Sequence, residues 1–271
     1  MLTIKKFTPL AILACALLSP SLFAAKKATT SNTNNFADPM TSLDDSLWWK
    51  SDGWSNGFPF VNRWEGEAIT FSENEGMAIS LSKNPLPDQS SEFQSGELRS
   101  HKFYRYGCFE AEMKPVKESG VVSAFFLFAG PYDKDENSNG MHNEIDIEFL
   151  GNNTNMMQIN FWTNDDRYTS SNEKLIFLDF DASEDFHRYG IKWTPKAIKW
   201  YVDGQLVYVQ RNNPNNPTPS ADDSTLRIMA NVWLTDSHIS NWAGEYDDRG
   251  QTSTAYFRNI SYTQGKHCTI E

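Results

Sequence analysis

The stretch His142-Asn143-Glu144-Ile145-Asp146-Ile147-Glu148-Phe149-Leu150-Gly151 decides the fold. From Glu144 to Phe149 acidic and apolar residues alternate, the period-two pattern of a strand with one face in a core. Residues i, i+2 and i+4 of a strand share a face. Glu144, Asp146 and Glu148 therefore line one side, and Ile145, Ile147 and Phe149 the other. Like charges side by side repel, and a solvated strand gains nothing from them. The β-branched and aromatic residues at the alternate positions favour a strand over an acidic calcium loop.

A row of carboxylates has a chemical use. Cleavage of a glycosidic bond with retention needs two carboxyl groups roughly 5–5.5 Å apart, one a nucleophile and one a proton donor. Glutamates four apart on a strand can lean toward each other to meet that spacing. A carboxyl between them can share a proton and hold the two pKa values apart.

The neighbouring text also reads as strands. Ala68 to Phe71 and Met77 to Leu81 flank Glu73-Asn74-Glu75-Gly76 and predict a hairpin. Lys199 to Val202 and Leu206 to Val209 flank Asp203-Gly204, a strong hairpin signal. Gly120 to Phe128 is almost wholly apolar, as a strand covered on both faces should be, and Leu226 to Trp233 is apolar apart from Arg227 and Asn231. No stretch sustains a helical period, and many short strands separated by turns predict an all-β sandwich or barrel.

These motifs together resemble the family-16 glycoside hydrolases, in particular the bacterial licheninases. The likeness is carried by Asn143 to Gly151 and Gln158-Ile-Asn-Phe-Trp-Thr163. It continues through Gly96-Glu-Leu-Arg-Ser100, Tyr106 to Pro115, Phe180-Asp-Ala-Ser183, Phe186-His187 with Tyr189, and Ile198 to Gly204. The resemblance implies a jelly-roll β-sandwich of two curved antiparallel sheets with a concave substrate cleft. It also implies that Glu144 is the nucleophile, Glu148 the acid/base and Asp146 a helper tuning the pair. Glu97, Arg99, Asn160 and Trp162 match positions that contact substrate, as, less closely, do Trp54, Asn56, Trp64, Phe128 and Trp233. His142 stands where licheninases commonly have Trp and is expected at the cleft. Aromatic faces suit pyranose rings, with polar groups fixing the hydroxyls.

The substrate is narrowed by the same likeness. The uninterrupted E-x-D-x-E matches licheninases and xyloglucan transglycosylases, whereas laminarinase-like members insert one more residue. The expected activity is retaining hydrolysis of β-1,3-1,4 mixed-linkage glucan. Departures keep a xyloglucan or β-1,4-glucan transglycosylase or hydrolase in view as the alternative. Asn62 and Ser95 replace a cysteine pair of many licheninases, and His142 with Thr254-Ala-Tyr-Phe-Arg-Asn259 looks more like the xyloglucan-active branch. A catalytically silent glycan-binding module is a third reading, disfavoured by the intact Glu144, Asp146 and Glu148.

The totals bound the rest. The chain has 271 residues, 39% hydrophobic, enough for a single catalytic domain, placed at 38–271. Residues 1–25 read as a signal peptide, with Lys5 and Lys6 before an apolar run and Leu22-Phe23-Ala24 as a cleavage site; residues 26–37 read as a disordered leader. A secreted or periplasmic monomer is expected. The net charge is −11, which disfavours nucleic acid and anionic membrane and suits a neutral β-glucan. The apolar run is short and broken by prolines, unlike a membrane anchor. Five histidines without metal-ligand spacing, and no P-loop, G-x-S-x-G or G-x-G-x-x-G, remove other chemistries. No cofactor is required. A structural calcium is implied by the resemblance, with Gly76 as turn glycine, but Arg258 stands where its Asp would be. Cys108 and Cys268 can pair in an oxidising compartment or remain free thiols.

Overall fold

A computed structural model describes residues 35–85, 91–265 and 268. The expected signal peptide and residues 26–34 of the expected leader lie outside the described residues. Asn35 to Ala37 do not: Phe36 and Ala37 belong to a strand, so the domain starts two residues earlier than 38.

In chain order the strands are β1 (Phe36–Asp38), β2 (Trp48–Lys50), β3 (Arg63–Trp64), β4 (Ile69–Ser72), β5 (Gly76–Lys83), β6 (Phe93–Ser95), β7 (Glu97–Tyr104), β8 (Gly107–Lys114), β9 (Val121–Ala129), β10 (Asn143–Leu150), β11 (Met156–Trp162), β12 (Lys174–Phe177), β13 (His187–Thr194), β14 (Ala197–Val202), β15 (Gln205–Arg211), β16 (Leu226–Leu234) and β17 (Ser253–Thr263). Among the described residues one short α-helix, α1 (Ser240–Ala243), interrupts them. The strands form two sheets. One runs β15-β14-β13-β8-β17-β5-β6-β3, with β1 on β17 and β4 on β5; the other runs β12-β11-β10-β9-β16-β7-β2. Pairing is antiparallel except between β3 and β6. The fold is the expected all-β sandwich.

The alternation on β10 is used as read. Ile145, Ile147 and Phe149 are fully buried in the core between the sheets, against residues such as Phe109, Tyr189, Ile191 and Trp200 of the opposite sheet. Each such side chain contributes about 1.5–3 kcal/mol on burial. Trp200 also donates its indole N–H to the Asp146 carbonyl at 3.0 Å, fastening the opposite sheet to the centre of β10. The apolar β9 is covered twice: Phe125 and Leu127 enter the core, while Ala124 and Phe126 pack with Met229 on the other face. Both predicted hairpins form, and Asp203 and Gly204 take φ of 45° and 77° at the β14–β15 turn, the left-handed conformation that such a turn requires.

Cys108 faces away from the core, as its phase on β8 implies, but is covered and bonded to Cys268, with Cα atoms 5.2 Å apart and a sequence separation of 160. Closing so long a loop restricts the unfolded chain, and such a bond typically stabilises by about 2–4 kcal/mol. Cys268→Ser is therefore expected to lower the unfolding free energy by that amount in non-reducing denaturant titrations. Coincident midpoints for variant and parent would show that the bond contributes nothing.

Candidate active site

Strand register places the carboxylates. On β10, Glu144 lies opposite Trp162 of β11 and Phe128 of β9; Asp146 lies opposite Asn160 and Phe126; Glu148 lies opposite Gln158 and Ala124. Across β16 and β7 the same face continues through Arg227, Asn231, Glu97 and Arg99 to Trp49 of β2. The acidic row therefore sits near the middle of the seven-stranded sheet, on the side away from the core.

The three carboxyls differ in surroundings. Asp146 is buried, and burial first, then the charges of Glu144 and Glu148 and a hydrogen bond to Glu144, raise its pKa well above the ordinary aspartate range. Burial and the neighbouring charges favour its neutral form facing Glu144. Glu148 is pushed up to about 7, by burial first and then by the charge of Glu144, against the hydrogen bond from Gln158. Gln158 Nε2 donates to Glu148 Oε2 at 2.8 Å, and Trp242 Nε1 donates to Gln158 Oε1 at 2.9 Å, which holds the amide in that orientation. His142 Nε2 lies 2.6 Å from Glu144 Oε2. The site thus contains one carboxyl, Glu144, in contact with Asp146 and His142, and a second, Glu148, raised to about 7, a pairing suited to acid–base chemistry.

A second polar network lies two strands away. Glu97, 2% exposed, accepts from Ser51 at 2.7 Å, from Arg99 at 2.8 and 2.6 Å and from Asn231 at 3.1 Å. Asp133 bridges Arg99 at 2.8 Å and Arg227 at 2.6 Å, and both guanidinium groups lie over Trp49, at 5.2 and 5.6 Å. Arg99 also lies 5.3 Å from the Trp54 ring.

The expected substrate contacts divide accordingly. Trp54, Phe128 and Trp162 are half-buried and Asn56 is exposed, so they present surface. Trp64 does not: it is fully buried beside Trp233 and Val122, with its indole N–H donated to Asn56 at 3.1 Å. It backs the cleft wall instead of touching a sugar. Trp233 is buried between Phe60 and Trp242, with ring centroids at 4.3 and 5.8 Å. Asn160 is buried and its carbonyl accepts from the backbone of Phe161 and Asn172, which fixes the segment after β11. Glu97 and His142 give their polar atoms to protein partners and orient other groups. Trp49, Asp133, Gln158, Tyr168, Arg227 and Trp242 escaped the sequence reading. Gln158 shares the face of Asn160 and Trp162 by simple alternation, and Arg227 interrupts an apolar strand, so those two had a signal.

The residues around Gly76 do not suit calcium. Arg258 packs against Gly76, donates to Glu112 Oε2 at 2.6 Å and lies 3.9 Å over the Phe186 ring. Its guanidinium supplies positive charge where the ion's carboxylate ligand is expected, and cations repel.

The Asn62 and Ser95 side chains are both fully buried. Asn62 Oδ1 accepts the Leu234 backbone N–H at 2.9 Å, joining the segment before β3 to β16.

Comparison with known proteins agrees with this arrangement. The family model described as glycosyl hydrolases family 16 matches residues 56–257. A beta-glucanase of Paenibacillus polymyxa is 38% identical over 229 residues, covering 84% of this chain and 86% of that protein. Among solved structures, a prokaryotic beta-1,3-1,4-glucanase (lichenase) derived from a mouse hindgut metagenome superposes with a TM-score of 0.74 at 34% identity, covering 84% of this chain and 98% of that one. The beta-glucanase of Bacillus licheniformis superposes with a TM-score of 0.73 at 34% identity over 85% and 98%. With the carboxylate row, the sandwich and these matches agreeing, the chain belongs to glycosyl hydrolases family 16 and is a glycoside hydrolase.

Proposed function

We propose that the chain is a secreted endo-β-glucanase that cleaves β-1,3-1,4 mixed-linkage glucan with retention of configuration. The carrying observation is the row Glu144, Asp146, Glu148, with the Asp146 carboxyl raised well above the ordinary aspartate range and Glu148 raised to about 7. In the first step a Glu144 oxygen attacks the anomeric carbon, and the bond to the glycosidic oxygen breaks as that oxygen takes the Glu148 proton. In the second, water attacks the same carbon and gives its proton to Glu148, and the ester electron pair returns to Glu144. Asp146 donates to Glu144, so that carboxylate is held by a neutral neighbour and not repelled by a charged one. Trp54, Phe128 and Trp162 supply ring surface for sugars, while Glu97 holds Arg99 in place to meet hydroxyls. The linkage preference rests on the lichenase likeness and on the uninterrupted E-x-D-x-E.

Residues 1–25 act in this proposal as the export signal, and the mature domain works as a monomer on a neutral polysaccharide. Its acidic surface, with no described helix long and apolar enough to cross a membrane, is compatible with that setting. A xyloglucan transglycosylase is the second reading, favoured by His142 beside Glu144 and by the Thr254–Asn259 text. The deciding assay measures new reducing ends from mixed-linkage glucan and from xyloglucan, with Glu144→Gln protein as blank. Rapid release from mixed-linkage glucan alone is expected. Little release there, with xyloglucan shortened only when an oligosaccharide acceptor is added, would move the assignment to the transglycosylase.

A further inference from the structure

His142 is 2% exposed and is enclosed by three rings, Phe128 at 5.5 Å, Trp162 at 5.8 Å and Tyr168 at 4.6 Å between centroids. Both ring nitrogens are nevertheless engaged. Nδ1 lies 3.1 Å from the Asp165 backbone carbonyl, which can only accept, so Nδ1 carries a hydrogen. Nε2 lies 2.6 Å from Glu144 Oε2. A neutral imidazole has one N–H. With that hydrogen on Nδ1, Nε2 would turn a lone pair toward a carboxylate oxygen unless a second proton lies between them.

We infer that His142 is a positioning residue that meets the Glu144 carboxylate as an imidazolium and fixes it in its attacking orientation. This inference rests on Glu144 being the nucleophile. It replaces the expectation that His142 binds sugar, because a ring with both nitrogens engaged and almost no exposed surface has nothing left to offer a hydroxyl.

The surroundings agree. Burial alone would lower the imidazole pKa, but the hydrogen bond and charge of Glu144 outweigh it and the group is raised. The ionisable groups facing His142 from the β11–β12 segment are Asp165, Asp166 and Tyr168. The Asp165 carboxylate is turned to the backbone N–H groups of Arg167, Thr169 and Ser170. Asp166 Oδ1 accepts the His142 backbone N–H at 2.6 Å, so the ring is held from its main chain as well. The Tyr168 phenol is raised by burial and by the charges of Glu144, Asp166 and Asp165, so it stays neutral through the working range. Glu144, on β10 itself, is the carboxylate in direct contact.

In the reaction cycle the role is symmetrical. The imidazolium orients the carboxylate for attack on the anomeric carbon. When the ester bond later breaks and its electron pair returns to Glu144, the same N–H receives the restored charge. Above its raised pKa, His142 loses the Nε2 proton, the contact turns repulsive, and the orienting force is lost. The alkaline limb of kcat/KM then reports two ionisations, Glu148 and His142, where the carboxylates alone supply one.

The test compares pH profiles of kcat/KM on the preferred polymeric glucan for the parent enzyme, His142→Phe and His142→Gln, with 15N NMR of the imidazole in the parent and in Glu144→Gln. Phe keeps the ring volume and removes the donor, and a loss of roughly 10- to 100-fold is expected, that of one hydrogen bond to a charged group. Gln restores an uncharged N–H, so it should recover part of that loss with an alkaline limb of one ionisation. NMR should show both His142 nitrogens protonated at neutral pH in the parent and a lowered His142 pKa in Glu144→Gln. If His142→Phe does not fold, the Gln profile and the parent spectrum decide alone. A singly protonated His142 at pH 6, or variants with the parent's rate and limb, overturns the inference. Glu144→Ala assayed alongside separates the two failures. An inactive Glu144→Ala with indifferent His142 variants leaves the nucleophile standing, whereas an active one removes both.

Discussion

Glu144→Ala is expected to lower kcat on polymeric β-glucan by ~10⁴-fold or more, the scale seen when a nucleophile is removed from a coordinated set. In the proposed mechanism this carboxylate supplies the electron pair that forms the intermediate, and its neighbours cannot replace it. Asp146 is buried with its pKa raised well above the aspartate range, and in the proposed mechanism Glu148 serves the leaving oxygen. Truncation also vacates space beside the anomeric carbon, which a small anion can enter. Added azide should therefore restore turnover and give a glycosyl azide of α configuration, since one displacement replaces two. The fold should persist, because Ile145, Ile147 and Phe149 anchor β10 from its other face. A thermal melt beside the assay checks this, and the anomeric coupling of the azide product reads the stereochemistry. An unimpaired variant, or a rescued product of β configuration, would remove Glu144 from the role.

Glu148→Gln should produce the next largest effect, ~10²–10⁴-fold on polymer, the usual contribution of a positioned proton donor. The loss should be much smaller on an aryl glycoside whose phenol departs without a proton. In the proposed mechanism Glu148 of the parent must be protonated to start the reaction, so activity should decline as pH rises through about 7. The same shift bears on stability. A carboxyl raised from 4.5 to about 7 on folding is held more tightly by its proton in the folded state. Stability from this group is therefore present at low pH and is lost as pH rises through that window. Glutamine carries no such charge. Glu148→Gln, whose side-chain oxygen can still accept from Gln158, is thus expected to unfold at a higher temperature than the parent at pH 8 and at a similar one at pH 4.5. Equal melting temperatures at pH 8 would show that ionised Glu148 is not strained by its site. The trade of stability for a usable proton is the ordinary cost of such a group.

The sandwich was legible because the relevant physics is local. Alternation over Glu144 to Phe149 assigns faces, Asp203-Gly204 demands a left-handed turn, and the unbroken apolar run of β9 implies cover on both faces. The first residues of the domain were not: Phe36 to Asp38 form a strand only because β17 offers an edge to pair with. Helix α1 escaped because four residues cannot show a period. The disulfide was legible as a pair of cysteines and no further, since pairing requires the tail to lie over β8.

Within the site, residue types were legible and roles less so. Glu97 and Arg99 share a face by alternation, but that Glu97 spends its oxygens on Ser51, Arg99 and Asn231 follows from β2, β7 and β16 being neighbours. Trp64 and Trp233 carry the chemistry expected of sugar-stacking residues, yet burial puts them behind the surface. Hydrophobicity alone cannot separate a ring that lines a cleft from one that supports it. Gln158 and Trp242 stand 84 residues apart and meet only across the fold, so no spacing rule could link them to Glu148.

By itself, then, the amino-acid order determined the strand character of β10, the row of three carboxyls on one face, and the family that such a row belongs to. Covalent spacing and side-chain alternation carry all of these. Tertiary structure alone decided which carboxyls are pushed up by burial, that one of them lies near neutrality, and that His142 sits against Glu144 with almost no exposed surface. Those depend on burial and on neighbours brought from distant strands, and pKa values and hydrogen-bond partners are properties of an environment that exists only once the sheets have closed on each other.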